Sequence, residues 1–286
     1  MKQKTAIICL SRVNGGMELA SVKLARLLSQ DLEVEFIARD NSYIVNRKEH
    51  FENYNVKVHI VEFLSNFSFK LIFKIRKILK ENNIKNVIFL GASEIKSIYF
   101  ATLGLNINFI IRQGSKKTTS KKDIFHKLLY KNVNYFVGNC EYMRKNIINI
   151  LPIPKNATVT RIYSSLKLQE NVNFKALNNT IDLVHVGRIN KGKGQFEVIK
   201  ACEILKENNV PFTIKFLGDI QDKNYFETMK NYLENSSLKN HVEFIGYTSE
   251  VKEYLQKSDI FIFPSLGEGM SNAIIESLGF GLIPII

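Results

Sequence analysis

The sequence predicts an α/β protein built from two successive units, each with a parallel sheet covered by helices. Short apolar runs recur along the chain, and amphipathic stretches long enough to form helices separate most of them. Such alternation is typical of parallel sheets with helices on both faces. A polar, Asn-rich stretch at 164–180 interrupts the alternation, so it marks the boundary between the two units.

The apolar runs give the predicted strands in chain order. In the first unit they are 5–10, 33–38, 57–62, 86–90, 107–111, 133–138 and 157–162. In the second unit they are 181–186, 212–217, 241–245, 259–263 and 282–286. Helices are predicted between them, among others at 17–29, 69–82, 121–131, 193–208 and 248–257. We assign a first domain to 1–165, a linker to 166–180 and a second domain to 181–286.

The second domain is expected to be incomplete, because the run at 282–286 is typical of a buried strand and no helix follows it. Apolar surface should then stay exposed, and a version extended beyond Ile286 should turn over faster.

Composition restricts the class of protein. No stretch of 18 apolar, uncharged residues occurs in the sequence, so no transmembrane helix is predicted. The three cysteines, Cys9, Cys140 and Cys202, lack the spacing of a metal site or of a disulfide framework. Free cysteines fit a reducing compartment, and we therefore expect a cytoplasmic protein.

The net charge of +13 is concentrated in the first half of the chain. Residues 1–150 contain 25 Lys and Arg against 12 Asp and Glu, whereas residues 151–286 contain 15 of each. This distribution favours an anionic partner, such as a phospholipid surface, a phosphorylated glycolipid or a nucleic acid. A basic, solvated surface without a partner explains the charge equally well, so both interpretations stay open.

The first candidate site follows the first predicted strand, where Gly15 and Gly16 precede a helix. Two glycines permit a tight turn and a close approach of a phosphate to the free amides of the helix. The GxGxxG fingerprint is absent, and a plain strand-to-helix turn is the commoner explanation of such a pair.

The second candidate site follows the strand at 181–186, at the kind of strand end where α/β sheets bind ligands. Arg188 and Lys193 stand there among three glycines. Their charges can compensate a diphosphate leaving group without a metal ion. The spacing of a P-loop is absent, which argues against an ATPase.

The third candidate site follows the strand at 259–263. Glu268 lies in a glycine-flanked turn, and Glu276 is predicted about two turns down the next helix, on the same side. Carboxylates accept hydrogen bonds from sugar hydroxyls. The backbone amides of 269–271 are expected to point at a ligand between the two glutamates.

Together these motifs resemble the family 4 glycosyltransferases, retaining enzymes of GT-B architecture in which two Rossmann-like domains face each other across a cleft. Gly15-Gly16-Met17-Glu18 resembles the N-terminal glycine loop of that family. Gly187-Arg188 with Lys193-Gly194 resembles its diphosphate clamp, and Glu268 with Glu276 resembles its E-x7-E motif. The resemblance covers the whole chain and is strongest over 181–286.

The resemblance implies a role for each matching residue. Arg188 and Lys193 would hold the donor diphosphate and stabilise it as it leaves. Glu276 would bind the ribose hydroxyls, and Glu268 would contact the donor sugar. Further donor contacts are implied at Gly15, Gly16, Gly246, Tyr247, Gly269, Met270 and Ser271. The resemblance also implies that no cofactor, no metal ion and no protein nucleophile is required.

The first half of the chain departs from the family pattern in one place. A His-Gly pair is common there, whereas this sequence has Arg112-Gln113-Gly114, so we expect Arg112 or Gln113 to contact the sugar. The basic segment that starts at Arg112 is predicted to meet the acceptor or a membrane, with these candidates: Lys116, Lys117, Lys121 and Lys122. For the basic helix at 70–80, packing on the core with a solvated outer face is the favoured interpretation.

The leading hypothesis is a cytoplasmic enzyme, peripheral on the inner face of the cytoplasmic membrane. It would transfer a sugar with retention from a nucleotide-sugar to a glycan or glycolipid acceptor in polysaccharide or lipopolysaccharide biosynthesis. One alternative is an epimerase of the same architecture, and another is an inactive donor-binding module. A nucleic-acid-binding protein is the third, although the sequence offers charge without a binding motif.

Overall fold

A computed structural model describes residues 3–91, 93–165 and 179–286 of the chain. The chain divides into two compact units, Met1–Tyr163 and Ser164–Ile286. The predicted linker at 166–180 lies almost entirely outside the described residues and stays a prediction.

Unit 1 contains a seven-stranded parallel sheet with the strand order β3-β2-β1-β4-β5-β6-β7. Its strands are β1 (Lys4–Cys9), β2 (Glu33–Arg39), β3 (Val56–Val61), β4 (Asn86–Phe89), β5 (Asn108–Gln113), β6 (Tyr135–Gly138) and β7 (Thr158–Arg161). Its helices are α1 (Gly16–Leu28), α2 (Phe69–Glu81), α3 (Ile95–Thr102), α4 (Ile124–Tyr130) and α5 (Glu141–Ile150).

The two faces of this sheet carry different helices. Side chains alternate between the faces of a strand, so Ile7 of β1 joins the cluster that contains Val22 of α1. Its neighbour Ile8 joins the cluster that contains residues of α2 to α5, among them Leu71 and Ile98. The helices α2, α3, α4 and α5 therefore cover one face, and α1 covers the other.

Unit 2 contains a five-stranded parallel sheet with the order β10-β9-β8-β11-β12. Its strands are β8 (Ile181–Val186), β9 (Phe212–Leu217), β10 (Val242–Gly246), β11 (Ile260–Ile262) and β12 (Ile283–Ile285). Its helices are α6 (Gln195–Glu207), α7 (Lys223–Glu234), α8 (Val251–Lys257) and α9 (Asn272–Gly279), with a 3₁₀ turn at Lys191–Lys193. All twelve predicted strands are thus present, with small differences at their ends.

The strand predicted at 282–286 is present as β12, but it is not buried. It pairs with β11 alone among the described strands, and Ile283 and Ile285 are 63% and 50% exposed, which agrees with the expected exposed apolar surface. The core-facing interpretation of the 70–80 helix is confirmed, because Leu71 and Ile75 of α2 are fully buried. Within the described residues, no helix has the length and apolar character that a membrane crossing requires.

Candidate active site

The loop after β8 fixes the backbone of Arg188 and leaves its side chain available. The carbonyl oxygen of Arg188 accepts a hydrogen bond from the Nε2 of the buried Gln195 at 3.0 Å. The side chain of Arg188 is partly buried, and its guanidinium has no hydrogen-bond or ion-pair partner within the described ranges. A partly buried cation that lacks an anion is costly, so this position is suited to an anionic ligand.

Lys193 and Glu268 come together from two different loops. The Nζ of Lys193 contacts the Oε1 of Glu268, and both side chains are largely shielded from solvent. The same ammonium lies 5.1 Å from the ring centroid of Phe263, a cation–π distance. The structure therefore joins the second and third candidate sites, which the sequence could only present separately.

Backbone contacts hold these two loops in register. The amide of Leu266 donates to the carbonyl oxygen of Gly192 at 2.9 Å, and the hydroxyl of Ser265 donates to the same oxygen at 3.2 Å. Gly194 has a φ of +74°, and a Cβ at this position would lie 2.5 Å from the carbonyl oxygen of Pro264. Only glycine fits this contact, because any side chain would push the loops apart.

A second obligatory glycine, which sequence analysis missed, ends β9. Gly218 has a φ of +143°, and a Cβ there would lie 2.3 Å from the carbonyl oxygen of Gly187. Its amide donates to the carbonyl oxygen of Gly246 at 2.8 Å. This chain of contacts places the predicted residues Gly246 and Tyr247 at the same sheet edge as Arg188. Its sequence signal is a glycine directly after a buried strand.

His185, on the buried strand β8, holds the loop that follows this strand through a hydrogen bond. It is completely buried between the rings of Phe216 and Phe263, and its Nε2 donates to the carbonyl oxygen of Lys193 at 3.2 Å. Its Nδ1 has no partner in the described part of the chain. Burial lowers the pKa of His185 to about 4, so the ring is neutral at physiological pH.

The helix that carries Glu276 begins later than predicted. α9 starts at Asn272 after an extended Ser271, so Glu276 lies about one turn into the helix, and the prediction of two turns is wrong. The glycine-flanked turn around Gly267, whose φ is +86°, continues through Ser271 and delays the helix. Gly269, Met270 and Ser271 therefore belong to the turn, and Glu276 is partly buried.

A cavity of about 520 Å³ opens beside the loop after β8. Asn190 and residues 221–224 line it, and Asn190 also caps the 3₁₀ turn by accepting from the amide of Gly192 at 3.0 Å. None of the predicted donor residues lines this cavity. It is polar space next to the candidate site rather than the site itself.

In unit 1, the glycine pair Gly15-Gly16 is not packed tightly against neighbouring loops. Gly15 has an ordinary extended backbone, and its carbonyl oxygen accepts from the amide of Leu19 in the first turn of α1. A Cβ added to Gly16 would meet no atom within 4 Å. Unit 1 itself thus does not require glycine at position 16, and the predicted phosphate contact remains a prediction.

The predicted acceptor residues follow β5. Gln113 is buried, and its Nε2 donates to the Oδ1 of Asn146 at 2.7 Å. The same Oδ1 accepts from the amide of Lys117, so Gln113 and Asn146 anchor the basic segment. Burial lowers the pKa of Arg112. The Nζ of Lys116 lies 5.6 Å from the ring of Tyr142.

The remaining predicted lysines differ in exposure. Lys122 is exposed, whereas Lys121 is half-buried and has a lowered pKa because of burial and the neighbouring charge of Lys117. Within the described residues, no three or more His, Cys, Asp or Glu side chains form a group that could hold a metal ion.

The sequence matches known proteins along its length. Residues 167–286 match the family described as "Glycosyl transferases group 1". The Staphylococcus aureus "Capsular polysaccharide biosynthesis glycosyltransferase CapH" is 28% identical over 280 residues, which are 93% of this chain and 76% of that protein. A Campylobacter jejuni "N-acetylgalactosamine-N,N'-diacetylbacillosaminyl-diphospho-undecaprenol 4-alpha-N-acetylgalactosaminyltransferase" is 25% identical over 301 residues, 96% of this chain and 78% of that protein.

Solved structures share the fold. A glycosyltransferase from Rickettsia africae matches with a TM-score of 0.82 at 18% identity, over 99% of this chain and 78% of that one. Anabaena Alr3699/HepE in complex with UDP and glucose matches with a TM-score of 0.76 at 15% identity, over 99% and 80%.

These matches agree with the presence of two parallel sheets, one in each unit. The α/β fold with two parallel sheets is that of GT-B glycosyltransferases. The family match spans the loops that carry Arg188, Lys193, Glu268 and Glu276. The chain is a glycosyltransferase, and residues 167–286 within it match the glycosyl transferases group 1.

Proposed function

We propose that this enzyme transfers a sugar, with retention of anomeric configuration, from a nucleotide-sugar to a glycan or glycolipid acceptor of a surface polysaccharide. The observation that carries the proposal is the partly buried, partnerless guanidinium of Arg188 beside the Lys193–Glu268 pair. The complex of HepE with UDP and glucose and the capsular role in the name of CapH support it.

Donor binding follows from the charges of unit 2. Lys193 and Glu268 neutralise each other, so Arg188 contributes an uncompensated positive charge at this sheet edge. A nucleotide diphosphate supplies the missing anion and contacts both Arg188 and Lys193. As Lys193 turns to the diphosphate, the carboxylate of Glu268 becomes available to accept hydrogen bonds from sugar hydroxyls. Glu276 binds the ribose hydroxyls in the same way.

The chemistry then needs no protein nucleophile. The bond between the anomeric carbon and the diphosphate oxygen breaks, and the acceptor oxygen forms its bond on the same face of the sugar. The acceptor proton passes to the departing phosphate oxygen. Arg188 and Lys193 stabilise the negative charge that grows on the diphosphate, and interactions that strengthen in the transition state raise the rate. We therefore propose transfer that is independent of a metal ion.

The acceptor belongs to unit 1 in this proposal. The names of two Campylobacter jejuni relatives include undecaprenol-linked diphosphates, which are anionic lipids. Arg112 and the exposed Lys116, Lys117 and Lys122 offer charges for such a phosphate. The partly buried Lys121 supports them. This role places the enzyme in the cytoplasm, at the inner face of the cytoplasmic membrane.

The donor proposal is tested by thermal shift of the full chain with a panel of UDP-, GDP- and dTDP-sugars, each with and without EDTA. We expect one nucleotide class to raise the Tm in both conditions, and Arg188→Ala to abolish the shift. Lys191→Ala is the matched control, because Lys191 is an exposed cation of the same turn. A panel without any shift in the wild type would contradict donor binding.

Product analysis tests the reaction. Transfer of the stabilising sugar to a lipid-linked acceptor, followed by NMR of the new glycosidic bond, should show the donor's anomeric configuration. An inverted product would refute retention. Conversion of the free nucleotide-sugar without any acceptor would identify an epimerase instead.

A further inference from the structure

Unit 1 exposes a group of large apolar side chains on one side, which we call the aromatic face. Its members are Leu64, Phe67, Phe69, Phe73, Phe100 and Phe125. Leu64 is fully exposed, and Phe69 and Phe73 are 67% and 68% exposed. Exposed apolar residues are ordinary when scattered, but a contiguous set marks an interaction surface.

Ring contacts and helix geometry connect the phenylalanines of this set. The centroid of Phe67 lies 5.4 Å from that of Phe69 and 5.9 Å from that of Phe100. Phe73 follows Phe69 by one helical turn, so both lie on the same side of α2. On α3, Lys96 precedes Phe100 by one turn, and its Nζ lies 5.1 Å from the ring of Phe125. The face therefore runs from α2 across α3 to α4.

The aromatic face is not part of the core. The inner sides of these helices are already buried, through Leu71 and Ile75 of α2, Ile98 of α3 and Leu129 of α4. A helix that covers a sheet needs only one apolar side. The outer phenylalanines of α2 thus serve no packing need of unit 1.

Cations surround this face. Lys70 and Lys74 of α2, Lys122 just before α4 and Lys127 of α4 are exposed near its residues, and Lys96 lies within it. Two of the nearby acids have partners: Glu62 pairs with Lys70 at 2.9 Å, and Asp123 pairs with His126 at 2.5 Å. A phenylalanine surface with a lysine rim is complementary to an anionic lipid bilayer, whose headgroups attract the cations and whose acyl region accepts the rings.

The position of the face fits a lipid-linked acceptor. In a parallel sheet, the helix that follows a strand starts at the carboxyl edge of the sheet. Phe69 is the first residue of α2, and Ile124 and Phe125 are the first two residues of α4, so all three lie near this edge. Arg112 and Gln113 end β5 at the same edge.

We propose that the aromatic face inserts into the headgroup region of an anionic membrane and holds the edge of unit 1 that carries Arg112 at the lipid surface. A second copy of the chain would cover the apolar side chains but not compensate the cations, and a nucleic acid would compensate the cations but not cover the apolar side chains. A bilayer satisfies both.

Fluorescence offers a direct test, because the chain contains no tryptophan. Phe73→Trp places a single indole on the face, and Leu27→Trp places one on α1, on the other side of the sheet, where Leu27 is also exposed. With vesicles of phosphatidylcholine and phosphatidylglycerol, we expect a blue shift and quenching by brominated lipid for Phe73→Trp. Leu27→Trp should show neither. Equal spectra with and without vesicles for Phe73→Trp would overturn the proposal.

Sedimentation with the same vesicles tests the energetics. The double variant Phe69→Ser/Phe73→Ser should bind roughly tenfold or more weakly, since each ring loses its apolar burial. Leu27→Ser, the matched control, should bind like the wild type. Binding of the wild type should fall in pure phosphatidylcholine and at high salt. The double variant should keep its donor-induced thermal shift, so a failure here is distinct from a failure of the proposed transfer.

Two results would assign the face to another partner and refute the membrane proposal. The first is a dimer that light scattering detects in the absence of lipid and that the double variant Phe69→Ser/Phe73→Ser converts to a monomer. The second is vesicle binding that is unaffected by the double variant.

Discussion

The carboxyl edges of the two sheets are built differently. In unit 2, the loops after β8, β9 and β11 press on one another: Gly194 lies against Pro264, and Gly218 lies against Gly187. In unit 1, the glycine pair after β1 has empty space around Gly16. Unit 2 thus holds its site in a fixed geometry before any ligand arrives, whereas unit 1 leaves room in front of its glycine loop.

The two halves of the chain also differ in their charge. Residues 151–286 have no net charge, and their candidate site presents one guanidinium and one ion pair. Residues 1–150 have a net charge of +13, spread over exposed surface with phenylalanines between the cations. A fixed site suits a small, well-defined donor, and a broad basic surface suits a large anionic partner.

The largest expected effect tests the fixed geometry of unit 2. Gly194→Ala should lower the free energy of unfolding by roughly 3–5 kcal/mol, because the left-handed backbone and the contact with Pro264 both oppose a Cβ. Gly16→Ala in unit 1 should change it by less than about 0.5 kcal/mol or stabilise the helix slightly. Urea unfolding measures both. Equal losses in the two variants would remove the contrast between the units.

The next effect concerns turnover. Arg188→Ala should lower kcat about 10²–10³-fold, the cost of removing one preorganised group that stabilises a growing negative charge. Its stability should stay near that of the wild type, since the guanidinium has no partner in the described ranges. Lys193→Ala should also lower turnover more than stability, although it leaves Glu268 unpaired. Wild-type turnover in both variants would refute the diphosphate clamp.

A pH-dependent effect tests the buried support of the loop after β8 without a substrate. Above about pH 6.5 His185 is neutral in both folded and unfolded chains. Below it, the unfolded chain binds a proton that the folded chain excludes until about pH 4. The free energy of unfolding of unit 2 should therefore fall by about 3 kcal/mol as pH drops from 6.5 to 4.

His185→Gln keeps an N–H donor for the carbonyl oxygen of Lys193 and removes the titration. Its stability should change less over the same pH range than that of the wild type. Parallel pH profiles of the two proteins would show that His185 does not control this loss.

The smallest of these effects concerns the donor. Glu276→Ala should weaken nucleotide-sugar binding by about 1.5–3 kcal/mol, the scale of hydrogen bonds to a charged group. Calorimetry measures it, with Glu250→Ala as a control at an exposed acid of the same unit. Unchanged affinity in a folded Glu276→Ala protein would exclude this residue from the donor site.

The sequence predicted the sheets well, because buried parallel strands appear as apolar runs such as Ile181–Val186 and Phe212–Leu217. It also predicted which strand ends carry polar residues. It could not predict that Lys193 meets Glu268, since 75 positions separate them and only the parallel order β8-β11 brings their loops together. The late start of α9 depends on the turn conformation at Gly267, which a residue pattern does not specify.

The aromatic face was missed for a different reason. Phe69 and Phe73 share the apolar character of Leu71 and Ile75, so all four count toward the same amphipathic pattern. Their one-turn spacing, offset from the buried residues, is the signal that could have separated the outer side of α2 from its inner side.

The two tightly packed glycines limit how this enzyme can be redesigned. At Gly194 and Gly218 the nearest atom is a main-chain carbonyl oxygen, which a rotamer change cannot move aside. A mutant library aimed at a new donor preference therefore gains nothing from varying these positions. Diversity belongs instead at side chains on the same edge that are open to solvent, such as the half-exposed Tyr247.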